Sequence, residues 1–321
     1  VYYYQHDLAL VHDRGYGQHA DHCAPGILDL LSPVHGGLIL ELGCGSGALT
    51  RHLLAAGFRV IATDASGDML SLARAALGEQ ADLRLLTIPG DALPAADAIV
   101  SVGHAISYLP DAAAIDQALT GAADALRPGG VLAIDILDLD YGQIRQGAET
   151  IGRAEPDWAI ITQFSAPAQD RFVRDITTFV PDGAGAWRRG REHHENVLVD
   201  TSLIPARLAG HGVQATVSSA FGDAELLPGL RAVTGRKSIS LSCARGAGWS
   251  REAAHFAGES FTAVAVITEP AEARGGRGQQ HDAIRLRPAE PRGHRGGQVR
   301  AVGHANEARR LGGGVRGFEG G

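Results

Sequence analysis

Residues 38–48 read Leu38-Ile39-Leu40-Glu41-Leu42-Gly43-Cys44-Gly45-Ser46-Gly47-Ala48. An apolar run meets three alternating glycines and then resumes with Leu49 and Leu53 at helical spacing. That is the pattern of a buried strand, a tight turn and the start of a helix. Glycine adopts left-handed dihedrals without strain and carries no Cβ, so such a turn lets a ligand lie against the backbone. A second apolar run, Val60-Ile61-Ala62-Thr63, ends in Asp64. Two such strands point to an open α/β sheet, in which ligands bind beyond the carboxyl ends of the strands.

The periodicity beyond the turn agrees. Strands are predicted at 38–42, 59–63, 83–88, 98–102 and 131–137, with helices at 48–56, 67–77 and 112–126 between them. Apolar strands alternating with amphipathic helices give a parallel sheet covered on both faces. Residues 1–36 are predicted to be a helical lid, and 37–237 the ligand-binding domain, with an insertion at about 140–199. Within that insertion, 159–164, 171–180 and 191–199 read as three strands of an antiparallel meander. A helix at 201–209 and strands at 213–220 and 230–235 complete the domain.

Beyond residue 237 the pattern fades, apart from a possible strand at 261–268. Residues 271–321 hold ten arginines against five acids and few large apolar groups. Such a composition does not offset the entropy of ordering, so the segment 238–321 is predicted to be a disordered or non-native tail. No aromatic residues are interleaved with its arginines for base stacking, and the net charge of the chain is −7, which argues against a nucleic-acid partner. No apolar run reaches membrane-spanning length. Cys23, Cys44 and Cys243 show neither metal-ligand spacing nor an even count for a disulfide framework. A cytoplasmic protein without a metal, acting as a monomer or homodimer, is the resulting expectation.

The glycine turn and Asp64 suggest a ribose-bearing ligand, since a carboxylate there can accept hydrogen bonds from two ribose hydroxyls. Asp91, in Gly90-Asp91-Ala92 after the third strand, is placed to accept from an adenine amine. The spacing is G-x-G-x-G, whereas nicotinamide dinucleotide sites space their glycines G-x-G-x-x-G. An NAD(P)-dependent oxidoreductase is therefore the alternative reading. Glu41–Gly47, Asp64 with Ala65-Ser66-Gly67-Asp68-Met69-Leu70, Gly90-Asp91-Ala92 and Leu126-Arg127-Pro128-Gly129-Gly130 occur in that order. Together they resemble the class I S-adenosylmethionine-dependent methyltransferases, in particular the small-molecule branch. The resemblance implies a Rossmann-like seven-stranded sheet with an antiparallel last strand. It implies S-adenosyl-L-methionine as cofactor, with Glu41, Gly43, Gly45, Gly47, Asp64, Ala65, Met69, Asp91 and Ala92 around it and Tyr16 in a covering lid.

Such an enzyme needs no obligatory catalytic side chain if it positions and desolvates its reactants. His104 after the fourth strand, His12 in the lid and His193 in the meander are the candidate catalytic residues. Strand alternation puts His193 with Glu195 on one face and His194 with Asn196 on the other. The acceptor implied is a small molecule with an N, O or C nucleophile. The other alternative is an inactive protein that still binds S-adenosylmethionine.

Overall fold

A computed structural model describes residues 3–239 except 146, 148 and 149. The predicted strand at 261–268 and all but the first two residues of the tail lie outside the described residues. The elements run α1 (His6–Gly15), α2 (Gln18–Leu31), β1 (Leu38–Leu42), α3 (Ala48–Ala55), β2 (Arg59–Asp64), α4 (Gly67–Leu77), β3 (Asp82–Leu85) and β4 (Ala96–Ser101). They continue with α5 (Ala112–Ala125), β5 (Leu126–Leu137), α6 (Asp140–Ile144), β6 (Ile151–Glu155), β7 (Trp158–Ala168), β8 (Arg171–Pro181) and β9 (Trp187–Val197). The last are α7 (Ile204–Gly210), β10 (Val213–Ser218), β11 (Ala220–Phe221), β12 (Ala224–Glu225) and β13 (Leu230–Lys237).

Seven strands form the main sheet in the order β10-β13-β5-β4-β1-β2-β3. β1 runs parallel to β2 and β4, and β13 is antiparallel to both β5 and β10. The expected Rossmann-like sheet with an antiparallel last strand is thus the observed one. Successive residues of the central strands feed opposite cores. Ile39 packs with Ile27 and Leu31 of α2 and Leu53 of α3. Its neighbour Leu40 packs with Ile115 and Leu119 of α5 and Leu208 of α7. All are buried to 2% exposure or less, and each such side chain contributes about 1.5–3 kcal/mol by leaving water.

The insertion folds as a separate four-stranded antiparallel sheet in the order β6-β7-β8-β9, one strand more than the sequence pattern gave. The additional strand, β6, is short, and its side chains alternate between exposed and half-buried, so it lacks an apolar signature. Leu8 and Val11 of α1 pack beneath this sheet against Trp158, Ile160, Ile176 and Val180. β3 ends at Leu85 rather than at residue 88. The released Leu86, Thr87 and Ile88 turn instead toward the cavity described next. No helix among the described residues is long and apolar enough to cross a membrane.

Candidate active site

A cavity of about 910 Å³ lies beyond the carboxyl ends of β1, β2 and β4, with the meander and α1 as its roof. Its size is near the upper end of the range for small-molecule sites, about 300–1,000 Å³. Gly43, Cys44, Gly45, Ser46, Asp64, Ala65 and Met69 line one end. The glycines have distinct tasks. At Gly43 (φ +72°) a Cβ would sit 2.3 Å from the Ala105 Cβ, so that position lets the chain after β4 approach the turn. At Gly47 (φ +87°) a Cβ would press on Leu77 at 2.7 Å, and this glycine packs helices instead of lining the cavity. At Gly45 (φ +55°) a Cβ would meet nothing nearer than the Met69 sulfur at 3.9 Å, so here the backbone lies open to a ligand.

Asp64 is held from both sides. Its Oδ2 accepts from the Gly45 N–H at 2.9 Å and its Oδ1 from the Ser66 N–H at 2.8 Å. Burial still raises its carboxyl above the usual range. Glu41 is 2% exposed, accepts from the Thr50 hydroxyl at 2.7 Å and is pushed by burial up to about 8. Asp91 and Ala92 do not reach the cavity. The Asp91 carboxylate turns back to accept from the Thr87 N–H at 2.7 Å, and both residues are exposed. The wall at that end of the sheet is made by Leu86, Thr87 and Ile88.

The roof side brings His12, Tyr16 and His104 to the same cavity. Tyr16 stacks on His12, with ring centroids 5.7 Å apart. Burial, foremost, lowers His12 to about 4 and places His104 well below the usual histidine range. Both imidazoles are therefore neutral near pH 7. His104 has φ +51°, and its N–H donates to the buried Asp135 at 2.6 Å. His193 lies elsewhere: it is exposed, paired with Asp175 at 2.7 Å and absent from the cavity wall. The face of β9 that turns inward carries His194 and Asn196, both fully buried.

Several residues of the site escaped the sequence reading. His194 Nε2 contacts Glu192 at 2.9 Å and its Nδ1 contacts the Tyr108 hydroxyl at 3.1 Å. The Tyr4 hydroxyl also meets that of Tyr108, at 3.1 Å. Arg174 of β8 donates to Tyr108 and, at 3.3 Å, to Asn196 Oδ1. Arg174 could have been found by its strand position, since it shares a face with the buried Phe172 and Ile176. His19 contacts Asp135 at 2.9 Å. Burial opposes its charge most strongly of any single cause, but the hydrogen bonds and charges of Asp135 and Cys23 together outweigh it and lift His19 to about 10.

This sheet order, with a glycine turn and an acid at adjacent strand ends, defines a Rossmann-like methyltransferase fold. The family described as "Methyltransferase domain" matches residues 39–130. An uncharacterized methyltransferase of Mycobacterium bovis is 35% identical over 133 residues, 40% of this chain and 52% of that protein. The chain thus spans about half the length of that curated relative. An S-adenosylmethionine-dependent methyltransferase from Clostridium acetobutylicum superposes with a TM-score of 0.62 at 18% identity, over 72% of this chain and 97% of its own. The sugar N-methyltransferase KedS8 from a Streptoalloteichus species superposes with a TM-score of 0.61 at 20% identity, over 74% and 96%. The chain thus resembles methyltransferases in the sequence of its central part and S-adenosylmethionine-dependent methyltransferases in fold.

Proposed function

We propose that the protein transfers a methyl group from S-adenosylmethionine to a small organic acceptor held beneath the meander. The observation that carries this reading is that the open Gly45 backbone and the Asp64 carboxylate share one cavity with His12, Tyr16, His104 and Arg174. The residues suit the cofactor. Asp64 would hold the ribose, Gly43–Ser46 the methionine and ribose region, and Met69 with Leu86–Ile88 the adenine. Asp64 suits a ligand with a cationic sulfonium and ammonium, while the buried Glu41, pushed up to about 8, stays mostly uncharged near pH 7. S-adenosylmethionine supplies an electrophilic methyl carbon on sulfur, and an acceptor nucleophile must approach that carbon in line.

The chain's own task is then to align and desolvate. A base works best when its pKa lies near the working pH. His12, held near 4, is a weak base, so it and His104 serve as neutral hydrogen-bond partners that orient the acceptor. The acceptor's proton leaves by solvent. Similarity to a sugar N-methyltransferase fold supports a small-molecule acceptor without specifying its nucleophilic atom.

Methyl-labelled S-adenosylmethionine tested with amines, phenols and carboxylic acids is expected to label at least one class and yield S-adenosylhomocysteine. Intact cofactor binding without transfer to any class would instead identify a non-catalytic binder.

A further inference from the structure

The two ends of the cavity differ in charge. The acids of its wall, Asp64 and the mostly uncharged Glu41, stand at the glycine turn. The roof end contributes Arg145, Arg153 and Arg174 and no carboxylate among the described residues. Arg153 is compensated by Glu155 at 2.9 Å. Arg145 donates to the backbone carbonyls of Tyr141 and Pro228 and lies 3.5 Å over the Tyr141 ring. Arg174 differs from both. It donates to the Tyr108 hydroxyl and the Asn196 amide oxygen, and its guanidinium lies 5.6 Å from the centre of the Tyr108 ring. Among the described residues it forms no ion pair with any carboxylate. Its Nε is fully buried without a hydrogen-bond partner, as is Nδ2 of the adjoining Asn196.

A guanidinium half-buried, with its Nε removed from water and without a counter-charge, is costly, because desolvation is offset only by pairing and hydrogen bonding. A half-buried polar side chain at an inward strand position, facing a cavity, gains its missing partner when a ligand supplies it. The planar fork of arginine matches a carboxylate or phosphate in particular. We propose that the methyl acceptor carries an anionic group, a carboxylate or a phosphate, that seats against Arg174. The nucleophilic end of the acceptor is then directed away from the roof, toward the glycine turn. This rests on the methyltransferase reading of the cavity and adds the acceptor's charge to it.

The test uses the full chain saturated with S-adenosylhomocysteine and titrated with benzoate, phenyl phosphate and the neutral benzamide. Wild type is expected to bind at least one anion about tenfold more tightly than benzamide, the scale of a hydrogen bond to a charged group. The stronger of the two anions identifies carboxylate or phosphate as the preferred group. Arg174→Met is expected to abolish the preference and Arg174→Lys to retain part of it, with S-adenosylhomocysteine affinity unchanged in both. Equal binding of benzoate, phenyl phosphate and benzamide by wild type overturns the proposal, as does a preference that survives in Arg174→Met. A loss of S-adenosylhomocysteine affinity in both variants, with the anion preference intact, also overturns it and assigns the guanidinium to the donor's carboxylate. If Arg174→Met does not fold, the wild-type preference and its reduction in Arg174→Lys still decide. Absence of S-adenosylhomocysteine binding by wild type defeats the underlying methyltransferase reading instead, and the anion preference is then read on the free protein.

Discussion

The two ends of the cavity are built by different means. The turn end is made of backbone: three left-handed glycines, the N–H groups of Gly45 and Ser66, and one acid at the end of the neighbouring strand. The roof end is made of side chains that meet across the fold, with Tyr4, Tyr108, Arg174, Glu192, His194 and Asn196 joined in one network. The backbone end requires particular residue types at short spacing, so it is written locally in the sequence. The side-chain end depends on strand register and on which face of the meander turns inward. A family can therefore keep the first while the second varies with the acceptor.

Substitutions are expected to separate the two. The largest effect is expected at Gly43, where a valine meets Ala105 and must also adopt a positive φ. Overpacking together with a left-handed backbone costs about 2–5 kcal/mol. Gly43→Val should lower the denaturant midpoint markedly and abolish cofactor binding, whereas a near-normal midpoint would show that the turn tolerates a side chain. Asp64→Ala should leave folding intact and weaken S-adenosylhomocysteine binding by about 1.5–3 kcal/mol, the scale of a lost hydrogen bond to a charged group. Unaltered affinity in a titration would show that the ribose lies elsewhere. Tyr108→Phe should do the reverse. Cofactor affinity should hold, while kcat/KM for an accepted substrate falls, because Arg174 and His194 lose their shared hydroxyl.

Titration tests the buried groups of the cavity wall. Unfolded His19 releases its proton near 6.5, whereas the folded residue keeps it to about 10. Unfolded Glu41 ionises near 4.5, whereas the folded group does so only at about 8. In both windows the folded state holds more protons, so stability declines as pH rises through them. His12 acts oppositely: its folded pKa of about 4 lies below 6.5, so stability declines as pH falls between those values. Urea midpoints should therefore fall as pH rises from about 6.5 to 10, where Glu41 and His19 act alone, while Glu41 and His12 oppose each other between about 4.5 and 6.5. His19→Gln should flatten the alkaline limb, and a limb unchanged by that substitution would remove His19 from the account. The smallest effect is expected at His193, on the outer face of β9. His193→Ala should change stability by no more than about 0.5 kcal/mol, as exposed positions do, and leave methyl transfer intact.

What was legible followed the same division. Glu41–Gly47 and Asp64 lie within a short stretch, and the apolar alternation of β1, β2, β4 and β5 led to the sheet. Asp91 resembles a ligand residue in sequence because it is an acid in the turn beyond a strand, yet a backbone N–H four residues earlier uses its carboxylate. On β9 both faces are polar, so alternation separated His193 from His194 without saying which faces inward. The cavity answers that through Tyr108 and Arg174, which come from distant parts of the chain. Arg174 carried a readable sign, a charge in phase with two buried apolar residues, but its partners did not.

The central claim is that the Gly43–Asp64 end of the cavity is an S-adenosylmethionine site. Calorimetric titration of the full chain with S-adenosylhomocysteine and, separately, with NAD tests it most directly. The account predicts saturable binding of S-adenosylhomocysteine, lost in Asp64→Ala, and no binding of NAD. Tight binding of NAD with none of S-adenosylhomocysteine would contradict it.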